Sequence, residues 1–167
     1  MRNVAQQLRS LQQSFDAFDE AAAARLGLNR TDLRCLDLVL GAGQRAGGER
    51  SGVEWSGGEG SAGELSAGEL SAALKLSPAA TTTVIDRLER AGLVTRSRDA
   101  ANRRRVLVTA TDAARAAEAE VYLPVGAAGA EALSRYDEGQ LATILDFLQA
   151  ARQVQEGQVA RLGADGA

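Results

Sequence analysis

The chain has 167 residues, 45% of them apolar but only 4% aromatic, with 19 basic and 22 acidic side chains giving a net charge of −3. That length supports one good hydrophobic core, and packing by Ala, Leu and Val favours a mostly helical domain. With no histidine and a lone cysteine, a zinc site, a histidine-based catalytic triad and an internal disulfide are excluded, so few enzyme chemistries remain and no metal or cofactor is expected.

The first eight residues lack the apolar region of a signal peptide and no stretch has the apolar length a bilayer demands, so a cytoplasmic protein is expected. Val4, Leu8, Leu11, Phe15 and Phe18 recur at spacings of four, three, four and three. They predict a helix over about residues 3–25 with one apolar seam of the kind that meets another helix. After Gly27, Asn29 is placed to cap a second helix with Asp32 in its first turn. Leu33, Leu36, Val39 and Leu40 form its buried stripe up to Gly41. Cys35 falls inside that helix as a small buried apolar residue; only Arg34 is a cationic neighbour in sequence, too little to make a redox sensor.

Nine of the eighteen glycines lie between 41 and 63, interleaved with Ser, Glu and Arg, which reads as a flexible loop. Trp55 is its one bulky apolar residue, placed either to fold back onto the domain or to contact a ligand. Ser-Ala-Gly-Glu-Leu occurs at 61–65 and again at 66–70, too short to be an architectural repeat. In the second copy Ser66 and Glu69 form a capping box that starts a short third helix carrying Leu70, Ala73 and Leu74 inward.

Ser77-Pro78 starts a fourth helix, with serine at the N-cap and proline at the first helical position, and Gly92 ends it. Its expected buried stripe is Ala80, Val84, Leu88 and Ala91 with Ile85 beside it. Ala79, Thr82, Thr83, Asp86, Arg87 and Arg90 are left on the other side. Two Val, Leu and Thr-rich segments, 93–98 and 104–110, are separated by Asp99-Ala100-Ala101-Asn102-Arg103 and predict an antiparallel hairpin. Thr111 can cap a fifth helix that Leu123-Pro124-Val125-Gly126 should kink or break into two pieces. A last helix from about Asp137 to Arg161 shows Leu141, Ile144, Leu145 and Leu148 on one face, and the final five residues are expected to fray.

Charge is distributed unevenly over these elements. Arg87, Arg90, Arg96, Arg98, Arg103, Arg104 and Arg105 share their window only with Glu89 and Asp99, a local balance of plus five in a chain whose remainder sums to minus eight. A focused basic patch suits a polyanion, because phosphate attraction follows local charge rather than pI. Two helices joined by a short turn and followed by a basic hairpin make a winged helix-turn-helix. In that arrangement the second helix enters a major groove and the hairpin tip a neighbouring minor groove.

From Leu65 to about Arg115 the sequence resembles the multiple-antibiotic-resistance regulator (MarR) family of bacterial transcription factors. The likeness rests on Leu-Ser-Ala-Gly-Glu-Leu at 65–70, on the segment 76–96 and on Asn-Arg-Arg-Arg-Val-Leu-Val-Thr-Ala-Thr at 102–111. Asp86-Arg87-Leu88-Glu89 followed by Gly92-Leu93-Val94 and Arg96 is its most specific part. The chain departs from the family pattern at Asn102, where the wing usually carries an aspartate, at Ala110 and Ala114, and in the length of the 41–63 loop. The resemblance implies a homodimer that binds a pseudo-palindromic operator on double-stranded DNA and usually represses transcription. It also implies release by a small aromatic or anionic effector bound between the dimer helices and the winged domain.

The expected architecture is therefore mainly α with a small β-hairpin wing: an N-terminal dimerisation helix at 1–27, a winged helix-turn-helix at 28–115, and C-terminal dimerisation helices at 116–167. Helix 77–91 is expected to read the major groove through Ser77, Thr82 and Thr83, with Arg87, Arg96 and Arg98 clamping phosphates. Arg103 or Arg104, in the wing at 99–104, is expected in the minor groove. The competing reading is a winged-helix module that docks an acidic protein instead of DNA. An enzyme is the weakest reading, since the glycines at 41–63 lack the Gly-Lys-Ser/Thr ending of a phosphate loop.

Overall fold

A computed structural model describes residues 2–46, 63–99, 102 and 105–164. In chain order its elements are α1 (Arg2–Arg25), α2 (Arg30–Ala46), β1 (Leu65–Ser66), α3 (Ala67–Leu74), α4 (Pro78–Arg90), β2 (Val94–Arg98), β3 (Val106–Ala110), α5 (Asp112–Leu133) and α6 (Glu138–Ala164). The chain forms two compact units, Met1–Val121 and Tyr122–Ala167.

In the first unit, Leu36 and Val39 of α2, Leu70 of α3, Val84, Ile85 and Leu88 of α4, Val94 of β2 and Val108 of β3 share one core. Burying each such side chain contributes about 1.5–3 kcal/mol, which is what holds α3 and α4 on α2. A smaller cluster of Ala22, Ala23 and Leu33 joins the end of α1 to the start of α2, with Phe18, Leu26 and Val121 packed against it. The three strands are antiparallel in the order β1-β3-β2, with Leu65 opposite Val108 and Val94 opposite Ala110.

The caps form where the side-chain chemistry places them. Asn29 Oδ1 accepts from the Asp32 amide at 2.9 Å, Ser66 and Glu69 complete the capping box, and Thr111 Oγ1 accepts from the Ala114 amide at 3.1 Å. Ser77 Oγ accepts from the Ala80 amide with Pro78 in the first turn, so α4 begins at the expected residue. Between α3 and α4 the chain turns at Lys75, whose left-handed φ of 54° brings its amide onto the Ala72 carbonyl. Gly27 and Gly92, at φ +67° and +73°, end α1 and α4 in the conformation that favours glycine.

Four expectations are corrected. α2 does not stop at Gly41 but continues to Ala46. Gly41 lacks a positive φ, and Ala42 prolongs the buried stripe by a further position. α5 runs unbroken through Pro124. Residues 123–126 are solvent-exposed, so water can hydrate the carbonyl that loses its partner to proline's missing N–H. The buried face of α4 is Thr81, Val84, Ile85 and Leu88, while Ala80 is half-buried and Ala91 exposed. Thr81 can be buried because its hydroxyl donates to the Ser77 carbonyl at 3.1 Å. β1 was not expected, and its two residues are too few to show a strand's periodicity. Residues 41–46 of the expected loop are helical; its remainder through 62, with Trp55, lies outside the described residues.

In the second unit, Asp137 and Gln140 cap α6 reciprocally, each side chain accepting from the other's amide. Among the described residues no helix is long and apolar enough to cross a membrane.

Candidate nucleic-acid interface

Burial of Thr81, Val84, Ile85 and Leu88 fixes the rotation of α4 and turns Ala79, Thr82, Thr83 and Arg90 to solvent. The N-terminal half of that outer face is small and hydroxylic. Thr82 Oγ1 donates to the Pro78 carbonyl at 2.9 Å and Thr83 Oγ1 to the Ala79 carbonyl at 3.1 Å. Their protons being engaged on the backbone, the two side chains offer outward oxygen acceptors and methyl groups. In a major groove these suit the amino groups of adenine or cytosine and the thymine methyl. Ser77 is exposed, and its oxygen accepts from the Ala80 amide as the N-cap of this end of the helix.

The arginines divide into two groups. Arg87 reaches across to α2, where its Nε lies 2.9 and 3.1 Å from the two carboxylate oxygens of Asp32. The Asp32 side chain is 3% exposed against 36% for Arg87. Arg96, on β2, lies along α4: its guanidinium contacts Asp86, Glu89 at 3.2 Å and the Thr82 carbonyl at 3.3 Å. Arg105 bonds Glu69 at 3.0 Å and faces Asp99 at 3.8 Å. By contrast, Arg90 and Arg98 are exposed with no carboxylate partner among the described residues. Arg103 and Arg104 lie outside the described residues.

Of the sequence-predicted site, Ser77, Thr82, Thr83 and Arg87 lie on or at the start of α4 and Arg96 and Arg98 on β2, and among the described residues there is less free charge than the window suggests. Asp32, Asp86 and Glu69 enter the patch from outside it. Nothing local in the sequence signals Asp32, which is 55 residues from Arg87. Arg87 and Arg96, expected as phosphate clamps, are already held by carboxylates. Arg90, outside the predicted set, shares the exposed face of α4 with Thr83 at helical spacing, a signal the sequence does carry.

Behind the interface, Cys35 is fully buried, and burial, aided by Asp32, pushes its thiol up to about 12. That is the opposite of an activated thiolate. On the far side of α2, a cleft of about 530 Å³ is lined by Asp19, Arg30, Thr31, Leu33, Arg34, Asp37, Leu74 and Leu76. Asp37 is exposed to solvent on one side, but partial desolvation by the surrounding protein and repulsion from Asp19 and Glu118 push its carboxyl up, to about 6. Arg30 at the rim is engaged by Asp16 at 2.6 Å.

Residues 60–106, which span β1, α3, α4, β2 and the first residue of β3, match the model of the MarR family. Over that segment the chain is similar to the MarR family. Over 145 residues it is 29% identical to an uncharacterised HTH-type transcriptional regulator, YcgE of Bacillus subtilis, covering 87% of this chain and 81% of YcgE. Its fold is similar to that of apo MarR from E. coli, at 19% identity, 88% and 94% coverage of the two chains and a TM-score of 0.57. A similar likeness, with a TM-score of 0.56 at 14% identity and 91% and 97% coverage, joins it to a variant of MepR from S. aureus bound to an oligodeoxyribonucleotide.

Proposed function

We propose that this chain is a MarR-family DNA-binding transcriptional regulator, a repressor acting in the bacterial cytoplasm. It reads a pseudo-palindromic operator as a homodimer, with helix 77–91 in the major groove and the wing at 99–104 in the adjacent minor groove. The observation that carries this reading is the outer face of α4, where Thr82 and Thr83 stand exposed between the helix N-terminus and Arg90 and Arg98, which have no carboxylate partner among the described residues. A MepR variant of the same fold is bound to an oligodeoxyribonucleotide, which supports the assignment.

Ser77, Thr82 and Thr83 contact the groove, Arg98 and Arg90 hold phosphates, and Arg103 and Arg104 supply the wing's positive charge. Arg87 and Arg96 add to the field of the site from within their ion pairs. Two separate apolar surfaces support the dimer. Val4, Leu11 and Phe15 on α1 are 54%, 46% and 58% exposed, and Leu145, Phe147 and Leu148 on α6 also face solvent. Apolar side chains left open at helical spacing call for a partner surface, and a second copy of the chain supplies one by symmetry. Residues 1–27 and 116–167 are accordingly the dimerisation segments.

Release by a small aromatic or anionic effector is supported by the cleft beside α2. Leu33, Leu74 and Leu76 give it an apolar surface, and α2 also carries Asp32, the partner of Arg87 on α4. Selection of bound duplexes from random DNA tests the whole reading. The expected product is a two-fold symmetric site with half-site centres about 10–10.5 base pairs apart, or a multiple. Recovery of no preferred duplex, together with capture of an acidic protein, would favour an interaction module instead.

A further inference from the structure

Glu69 does more than close the capping box of α3. The box requires a contact between Glu69 and the Ser66 amide, present at 2.7 Å, and one between the Glu69 amide and Ser66 Oγ, present at 3.2 Å. The same Oε2 also accepts from Arg105 at 3.0 Å, a residue 36 positions further on. Arg105 is where the hairpin turn closes. Its amide donates to the Asn102 carbonyl at 2.8 Å, its carbonyl accepts from the Asp99 amide at 3.1 Å, and its guanidinium faces the Asp99 carboxylate across the hairpin. One side chain therefore ties both strands at the base of the wing to the first turn of α3.

The sheet alone restrains this corner weakly, because β1 and β3 are paired through only two residues on each strand. The Glu69 and Arg105 side chains are 20% and 31% exposed, shielded enough for the pair to outweigh an open surface ion pair. Burial raises the Glu69 carboxyl, but hydrogen bonds from Ser66 and the contact with Arg105 overcome it and leave it below the ordinary range. α3 in turn packs on α4 through Leu70 and Leu74, so whatever fixes the wing to α3 fixes it relative to the outer face of α4.

We propose that Glu69 is a positioning residue for the wing, holding Arg105 so that the hairpin and α4 keep the separation needed to engage two adjacent grooves together. This rests on the DNA-binding reading above for its purpose, though not for its geometry. Arg105 is consequently a structural member of the basic window and not a contact to the nucleic acid.

The test uses Glu69→Gln, which keeps the capping geometry and removes the charge, together with Arg105→Gln and the double variant. In the DNA-free full chain, amide hydrogen exchange is expected to quicken about tenfold at Asp99 and Arg105 while the amides of α3 and the far-UV spectrum stay as in the wild type. On the duplex that the wild-type protein selects from random DNA, hydroxyl-radical protection is expected to vanish from the flanking minor grooves and persist at the centre. Affinity should fall about tenfold, the loss of one groove contact, and the double variant should bind no more weakly than Glu69→Gln. Unaltered exchange at Asp99 in Glu69→Gln would overturn the proposal, as would additive losses in the double variant, which would make Arg105 a DNA contact. If the wild type selects no duplex, the functional reading fails, and the exchange measurement still decides whether Glu69 holds the hairpin.

Discussion

Replacing Arg87 by Gln separates a scaffold ion pair from a phosphate clamp. Asp32 is buried at the start of α2, and both its oxygens lie within hydrogen-bonding distance of the Arg87 guanidinium. Removing one partner of a fully buried pair costs about 3–5 kcal/mol, because the other charge stays desolvated. Arg87 is about one-third open to water, so solvent can reach Asp32 once the guanidinium is gone, and we expect a loss of about 2 kcal/mol. In thermal melting at fixed protein concentration this is a fall of roughly 4–8 °C for a chain of this size. Asp32→Asn added to Arg87→Gln should recover part of the loss, since no uncompensated charge remains. The salt dependence of DNA affinity supplies the contrast. Losing a phosphate clamp lowers the slope of log affinity against log salt by about one, and that is expected for Arg98→Gln but not for Arg87→Gln. Unchanged stability of Arg87→Gln with a slope reduced by one would refute the assignment of Arg87 to the scaffold.

Three further outcomes are expected. Arg104→Ala should weaken operator binding by about 1–3 kcal/mol per half-site in a titration at fixed salt, and unchanged affinity would remove it from the groove. Cys35 should resist thiol reagents until the chain unfolds. Its folded-state value of about 12 against an ordinary value of 9.0 means that the native state binds the proton longer, so stability is lost as pH rises from about 9 towards 12 and Cys35→Ala should flatten that loss. Asp37, raised from 3.8 to about 6, likewise makes stability fall as pH climbs through that interval. Asp37→Asn should therefore stabilise the chain at pH 7, with the gain vanishing below about pH 4, which urea titration at several pH values would check.

Local chemistry was legible in the sequence wherever it acts over one helical turn. Asn29, Ser66, Ser77 and Thr111 cap the helices they were expected to cap, because each needs only an oxygen and an amide two or three residues away. The hairpin was legible too, since its β-branched segments flank a turn. Contacts that tertiary packing creates were hidden: Asp32 with Arg87, Glu69 with Arg105, and the pairing of β1 with β3. The window of seven arginines therefore overstated the free charge, because carboxylates distant in sequence return to it in space. Gly41 and Pro124 misled for a related reason. Each weakens a helix locally, yet buried contacts beyond Gly41 and solvent around Pro124 make continuation possible. Thr81 shows the same rule in reverse, a polar residue turned inward once its hydroxyl is bonded to Ser77.

Fluorescence anisotropy with the duplex selected from random DNA, followed over a range of salt concentrations, addresses the central claim most directly. We expect two chains per duplex and an affinity that falls steeply and linearly with salt on logarithmic axes, as several phosphates are neutralised in each half-site. A single chain bound per duplex, or an affinity indifferent to salt, would contradict the account.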